Sequence, residues 1–213
     1  VTVKVTAYSG DPGAAPVVLA DAVELPPYGW TQFSGILQTA GMTNGYVTVE
    51  RVSASGSFGV YGVINDQVTS DGSYVLPVTG TEILRSMSVP VLVEAGAFLS
   101  ELVFANRSDV TAHFDVSYLE SLNGAGGSGT VRVSLAPREQ RIVPDAIQYL
   151  RSRGVSLPAK GSGSFAGTLR VAVTGPSVGD TFVGARTASQ SPGGGQFGLF
   201  TPAFYGGAEA AEE

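Results

Sequence analysis

The chain has 213 residues, no cysteine and a formal net charge of −6 at pH 7. The missing cysteines exclude disulfides, thiol nucleophiles and cysteine-ligated metals, and the negative charge disfavours nucleic acid, whose phosphates need clustered basic side chains. Because the chain lacks an apolar run of about 18 residues, insertion into a membrane is not expected. The 29 glycines and the many valine, threonine and serine residues indicate an all-β fold with numerous turns.

The first segment, VTVKVTAY, alternates apolar and polar residues. Val1, Val3 and Val5 share one face, as in a strand that covers a core on one side only. Turn-rich stretches separate this segment from the strands that we predict after it. Those strands are DAVELPP, GYVTVERV, FGVYGVIND and DGSYVLPV.

A second series of strands begins near residue 89. Residues 89–109 read as two strands joined by a glycine turn, with Phe98, Leu102 and Phe104 as their large apolar residues. Strands with the same alternation follow at VTAHFDVSYL, VRVSLAP, GTLRVAVTG, TFVGARTAS and GGQFGLFTPAF. The two series therefore divide the chain into a first half, residues 1–85, and a second half, residues 86–205, followed by an acidic tail, residues 206–213.

Each half also contains one candidate for a short helical turn. In SGILQTAG, Ser34 is the predicted N-cap, with Ile36 and Leu37 buried. In PDAIQYLRSRG, Asp145 lies at the predicted helix N-terminus, and Gly154 supplies a stop.

The order of the pieces is the same in both halves, which indicates an internal repeat. Val47 and Val49 in the first half correspond to Leu169 and Val171 in the second, although the match is weak residue by residue. This pattern predicts one β-sandwich in each half.

The first half has no counterpart of residues 89–109, so it lacks the two opening strands. A sandwich without them exposes an apolar groove and unpaired backbone edges, and we expect Val1, Val3 and Val5 to line that groove. Three explanations stay open at this point. The opening strands belong to chain upstream of Val1, residues 73–109 serve both halves, or a neighbouring chain donates a strand.

The glycines at positions 193, 195 and 198 spell G-x-G-x-x-G, a pattern that binds phosphate only between a strand and a helix. Here a strand pattern follows instead of a helix, so we predict a hairpin turn and an edge strand.

Other catalytic or metal-binding patterns are weak. The single histidine, His113, shares a strand face with Asp115 and is expected at the surface. Asn65, Asp66 and Asp71 surround one turn and could bind calcium, but these residue types also favour turns by themselves. The sequence therefore predicts no enzyme activity, no cofactor and no metal site.

Tyr28 and Trp30, in PPYGWTQF, are two residues apart and are predicted to share one side of a strand. The second half has Arg138 and Gln140 at the same places, so the shared fold does not require aromatic residues there. Three roles are open: Trp30 covers a thin core, the rings contact a protein, or they stack on a sugar.

The ending FVGARTAS–GGGQFGLFTPAF resembles that of immunoglobulin-like modules repeated in large secreted and cell-surface bacterial proteins. LVFANRSDVTAHFDVSYL and VSLAPREQRIVPDAI resemble the same modules in their order. The second half fits over most of its length, and the first half fits from its third strand onward. The resemblance implies two tandem immunoglobulin-like β-sandwiches that act as spacers or adhesive units, and it transfers no catalytic residue.

The sequence therefore leads to a non-catalytic structural or adhesive protein, secreted or on the cell surface, whose partners are proteins. In a sharper form of this hypothesis, the chain is a filament subunit that accepts a β-strand into its first half. The alternative is a carbohydrate-binding module that uses Tyr28 and Trp30.

Overall fold

The computed structural model describes residues 1–78, 86–122, 127–176 and 178–205. These residues form antiparallel sheets with very little helix, so the predicted all-β class is confirmed. Residue 85, on one side of the predicted boundary between the halves, lies outside the described residues. The acidic tail, residues 206–213, lies outside them as well. The strands of the first half are β1 (Thr2–Ser9), β2 (Val17–Glu24), β3 (Gly45–Arg51), β4 (Gly62–Asn65) and β5 (Gly72–Val75).

The second half contains nine strands in one connected sheet, seven of them along a single path with β10 and β14 paired to its sides. They are β6 (Ser86–Ala95), β7 (Phe98–Asn106), β8 (Ala112–Glu120), β9 (Ser128–Leu135), β10 (Gln140–Val143), β11 (Phe165–Thr174), β12 (Thr181–Gln190), β13 (Gln196–Pro202) and β14 (Phe204–Tyr205). β6 and β7 pair only beside their connecting turn, at Glu94–Leu99 and Ala95–Phe98. Beyond that turn β6 pairs with β11 and β14, and β7 pairs with β12 and β10. The path therefore folds into two layers, β14-β6-β11-β8-β9 and β13-β12-β7-β10.

One apolar cluster fills the space between these layers, and its members lie between Met87 and Ala203. The alternation of each strand supplies it, since every second side chain points inward. Leu102 and Phe104, predicted as large apolar residues of the opening strands, are fully buried, and the Phe104 ring meets Phe114 edge-on across the two layers. Phe98, at the connecting turn, is instead exposed.

Both predicted helical turns form, but only the second has the predicted N-cap residue. α1 (Ile36–Thr39) begins after Gly35, which has left-handed backbone angles and no side-chain cap, so the predicted N-cap at Ser34 is wrong. Ile36 and Leu37 are half-buried instead of buried. α2 (Ala146–Ser152) has Asp145 as its N-cap, as predicted, and the Asp145 carboxylate accepts a hydrogen bond from Gln148 N at 3.0 Å.

The first half forms two separate sheets, β2-β1-β3 and β4-β5. The order of the larger sheet matches that of β9-β8-β11 in the second half. The registers also match, because Val5 pairs with Val49 just as Val116 pairs with Val171. Val49 and Val171 thus pair in the same way within these two three-strand orders.

Among the described residues, no helix has both the length and the apolar character that crossing a membrane requires.

Candidate interaction surfaces

Tyr28 lies in a tight turn that occurs in both halves. Gly29 N donates to Pro26 O at 2.9 Å, and Glu139 N donates to Ala136 O at 3.2 Å. The third residue of each turn, Tyr28 or Arg138, has a positive φ, of 60° and 63° respectively. A proline at the second position and a positive φ at the third are features of a type II turn. The strain of a non-glycine residue in this conformation is therefore present at the same place in both halves.

The rings of Tyr28 and Trp30 are the most exposed large apolar groups in the described structure, at 106% and 82%. Neither residue belongs to a strand, so the prediction that they share a strand face is wrong. The residue of the second half that corresponds to Trp30 is Gln140, which begins β10. β10 forms by pairing with β7, and the first half has no strand that corresponds to β7. Exposure to this degree also shows that Trp30 does not cover a core.

The two halves meet through a cluster of polar groups around Gln140. Its side-chain Nε2 donates to Asn44 Oδ1 at 2.6 Å and to Gly45 O at 2.9 Å. Its backbone N donates to Gly10 O at 3.0 Å, and its backbone O accepts from Asn44 Nδ2 at 3.1 Å. The turn of the second half is thereby held against the end of the β2-β1-β3 sheet.

Aromatic rings and a cation extend this contact between the halves. The Arg138 guanidinium lies 5.7 Å from the centre of the Tyr8 ring, and Tyr8 stacks on Tyr46 at 5.1 Å. Arg138 is fixed in turn by Asp109, with a nitrogen–oxygen distance of 2.8 Å. A cation above an aromatic face contributes about 0.5–2 kcal/mol, depending on how far water is excluded.

A second contact between the halves covers the outer edge of β13. Asp66 Oδ2 accepts from Gln196 N at 3.0 Å, and Thr69 Oγ1 donates to Gln196 O at 2.8 Å. Two residues further along, Asp71 Oδ2 accepts from Gly198 N at 2.8 Å. Side chains of the β4–β5 hairpin thus occupy the place of a neighbouring strand, which protects an edge that could otherwise pair with other chains.

Asp66 also organises its own turn. Its carboxylate accepts from the backbone N–H groups of Thr69 and Val68, both at 2.9 Å, and these bonds lower the pKa of Asp66. Asp66 and Asp71 are therefore engaged as hydrogen-bond acceptors of the hairpin and of β13. No group of three or more His, Cys, Asp or Glu side chains that could hold a metal ion occurs among the described residues.

Val3 and Val5, predicted to line an open groove, are covered instead. Each is 3% exposed, and Val1, which exchanges backbone hydrogen bonds with Leu25, is half-buried. The exposed apolar residues of the first half lie mainly on and beside its edge strands. They include Val47, Val52, Val60, Tyr61, Val63, Ile64, Tyr74 and Leu76.

Among the described residues, β3 and β4 each have an edge without a strand partner, and so does β2, whose match in the second half, β9, also pairs on one side only. β3 pairs only with β1, and β4 pairs only with β5. The equivalent strands of the second half have partners on both sides, since β11 also pairs with β6 and β12 also pairs with β7. Four strands of the second half, β6, β7, β10 and β14, have no counterpart in the first, and β6 and β7 are the two of them that pair with β11 and β12.

The backbone groups on the free edge of β3 can be assigned. Val52 N donates to Thr2 O at 2.9 Å, and Gly10 N donates to Asn44 O at 2.9 Å, so the even-numbered residues of this segment bond to β1. Alternate residues of an antiparallel strand direct their backbone groups to opposite sides. Val47 and Val49 therefore direct theirs to the open side.

His113 belongs to a ladder of polar pairs on the exposed face of β8 and β9. Its Nδ1 lies 2.8 Å from Ser134 Oγ, directly across the two strands. The next pair on this face is Asp115 with Arg132, whose hydrogen bonds lower the pKa of Asp115. Because Arg132 holds the carboxylate of Asp115, this aspartate does not orient the imidazole as a catalytic triad requires. These contacts stabilise the sheet.

The glycine-rich stretch before β13 forms a hairpin turn, as predicted. Ser191 N donates to Gly195 O at 3.0 Å, and Gly194 and Gly195 have positive φ values of 89° and 71°. β13 follows directly and pairs with β12 at the end of the sheet.

Comparisons with known proteins give little information. No protein family and no curated protein matches the sequence. Among solved structures, Thermotoga maritima 1070 is similar, with 11% sequence identity and a TM-score of 0.42 over 59% of this chain and 97% of that one. This similarity is too distant to indicate a fold or a function.

Proposed function

We propose that the chain is a non-catalytic structural or adhesive subunit, secreted or on the cell surface, built from two immunoglobulin-like modules. In this proposal the first module is completed by β-strands from another polypeptide. The observation that carries it is the pair of free edges on β3 and β4, at the positions where β6 and β7 complete the second half.

Apolar exposure supports the same proposal. All four residues of β4 are exposed, with Ile64 at 53%, while β12, which follows in the same order in the second half, is largely buried, with Val183 at 1%. Exposed apolar side chains beside an unpaired strand edge are typical of a site for strand addition. Donation between successive subunits gives a contact of unlike surfaces, and such contacts build filaments when they do not close into a ring.

A variant on the free edge of β3 tests strand donation. Val47→Pro removes an N–H that the donated strand needs, but it spares the hydrogen bonds to β1, since Val47 directs its N–H to the open side. Val47→Thr is the matched control, because it keeps the N–H and a β-branched side chain. We expect the parent and Val47→Thr to form assemblies in sedimentation and electron microscopy, and Val47→Pro to form none through this edge. Equal assembly by both variants, or no assembly by the parent at any concentration, would refute the proposal.

Carbohydrate binding is the second candidate, and the exposure of Tyr28 and Trp30 favours it. Aromatic rings that stand free of the protein surface can stack on sugar rings. Trp30 is the only tryptophan of the chain, so quenching of its fluorescence by polysaccharides reports binding directly. No response to a broad set of glycans would exclude this role.

A further inference from the structure

The contact between the two halves uses two surfaces, and each of them occurs twice in the chain. The turn surface comprises residues 138–140 of the second half, and its counterpart in the first half is residues 28–30. The end surface comprises residues 8–10 with 44–45, and its counterpart is residues 119–121 with 166–167. Inside the chain, the turn surface of the second half lies on the end surface of the first.

The equivalence of the two end surfaces is seen in their backbone geometry. Gly10 N donates to Asn44 O at 2.9 Å, and Ser121 N donates to Ala166 O at 2.8 Å. Gly45 and Gly167 also correspond. A Cβ at Gly45 would collide with the carbonyl oxygen of Tyr8, and a Cβ at Gly167 would collide with that of Leu119. The shared type II turn, with Tyr28 and Arg138 at its third position, establishes the equivalence of the turn surfaces.

One turn surface and one end surface are left without a partner in the described structure. The free turn surface carries the exposed rings of Tyr28 and Trp30. The free end surface carries Leu119, which is 62% exposed and lines an open depression together with Thr130 and Thr168. Large apolar groups therefore lie exposed on both unused surfaces.

Three of the four contact residues, Arg138, Gln140 and Asn44, are polar, and an apolar or aromatic residue stands at the corresponding place on each free surface. In the contact inside the chain, the Gln140 amide meets the Asn44 amide and the Arg138 guanidinium covers the Tyr8 ring. At the free surfaces, Trp30 replaces Gln140 and Ala166 replaces Asn44. Likewise Tyr28 replaces Arg138, and Leu119 replaces Tyr8. If two such surfaces met in the way the two halves meet, Trp30 would lie opposite Ala166 and Tyr28 opposite Leu119, which pairs each bulky ring with a smaller apolar residue.

We propose that the turn surface of one copy, Tyr28 and Trp30, docks on the end surface of a second copy, Leu119 and Ala166. The two copies then have the relation that the two halves have within one chain. Because the surfaces are unlike, the contact repeats head to tail and builds an open filament unless it closes into a ring. This inference rests on the proposed role as an assembly subunit, but it uses a different surface from strand donation.

Disulfide cross-linking tests the contact. Because the sequence contains no cysteine, only the introduced cysteines can form disulfides. The double variant Tyr28→Cys/Leu119→Cys should give a ladder of disulfide-linked dimers, trimers and longer chains on a non-reducing gel. A mixture of the two single variants should stop at dimers, because each chain then has one reactive end. The matched control is Tyr28→Cys/Phe98→Cys, with a second exposed position at a different place on the sheet. A ladder that is no stronger than that of the control would overturn the proposal.

The fluorescence of Trp30 gives a second measurement that does not depend on cysteine. With rising concentration of the parent chain, we expect a shift to shorter wavelength and at least a twofold loss of acrylamide quenching as the ring becomes buried. Leu119→Arg should abolish both changes, while Val47→Pro should leave them intact.

The two variants separate this proposal from strand donation. Because docking alone also links subunits, strand donation is measured in the Leu119→Arg background, where assemblies that disappear on adding Val47→Pro support it, and a cysteine ladder that persists with Val47→Pro supports docking. If the ladder and the fluorescence changes are absent in the parent chain, docking is refuted whatever Val47→Pro does.

Discussion

The hydrogen bonds between Asn44 and Gln140 should couple the stabilities of the two halves. Asn44→Ala removes the bond to Gln140 O at 3.1 Å and the bond from Gln140 Nε2 at 2.6 Å. At about 0.5–1.5 kcal/mol for each net hydrogen bond, the expected loss in free energy of unfolding is about 1–3 kcal/mol. Gln140→Ala also removes two bonds, those from its Nε2 to Asn44 and to Gly45, so a similar loss is expected.

One of these bonds, from Gln140 Nε2 to Asn44 Oδ1, is lost in either variant. The double variant should therefore be less destabilised than the sum of the two single variants, by about 0.5–1.5 kcal/mol. Urea denaturation followed by circular dichroism gives the four free energies. As a control, Asn44→Ala combined with Gln148→Ala on α2 should be additive, because these side chains share no bond. Additivity of the Asn44 and Gln140 variants within about 0.3 kcal/mol would refute the coupling.

Two further predictions concern charged groups. Arg151 and Glu94 form a bidentate ion pair whose side chains are 12% and 6% exposed. Arg151→Met should lower the free energy of unfolding in urea by about 3–5 kcal/mol, because it leaves the Glu94 carboxylate buried without a partner. Adding Glu94→Leu should recover part of that loss, and no recovery would contradict this assignment. The lowered pKa of Asp66 means that its stabilising effect is present above about pH 4 and is lost as pH falls through the pKa of the folded state. The protection of the Gln196 amide against hydrogen exchange, measured relative to an unstructured peptide at the same pH, should therefore decrease in acid, and an unchanged pH response in Asp66→Asn would contradict the role of this carboxylate.

The sequence predicted the all-β class and much of the local structure, because these depend on short-range patterns. The alternation that places Val5 and Val116 on inward faces is visible in single segments. The correspondence of Val49 with Val171 follows from the order of those segments, and the strand registers agree with it.

The contacts between the halves could not be predicted in the same way. Asn44 and Gln140 are 96 residues apart, and Asp66 and Gln196 are 130 residues apart, so no periodic pattern links them. Several of these contacts also join a side chain to a backbone group. Because every residue carries the same backbone groups, the sequence does not show which of them will accept or donate such a bond. The sequence could not show that Val3 is buried instead of lining an open groove, because alternation shows which face of a strand a side chain occupies but not what covers that face.

Amide hydrogen exchange at Val47 and Val49 tests most directly whether the first half is open for a strand from another chain. In the monomer we expect both amides to exchange rapidly, while those of Leu169 and Val171, at the equivalent places beside β6, are protected. In the assembled form Val47 and Val49 should become protected as well. Slow exchange in the monomer, or rapid exchange in both forms, would contradict strand donation at this edge.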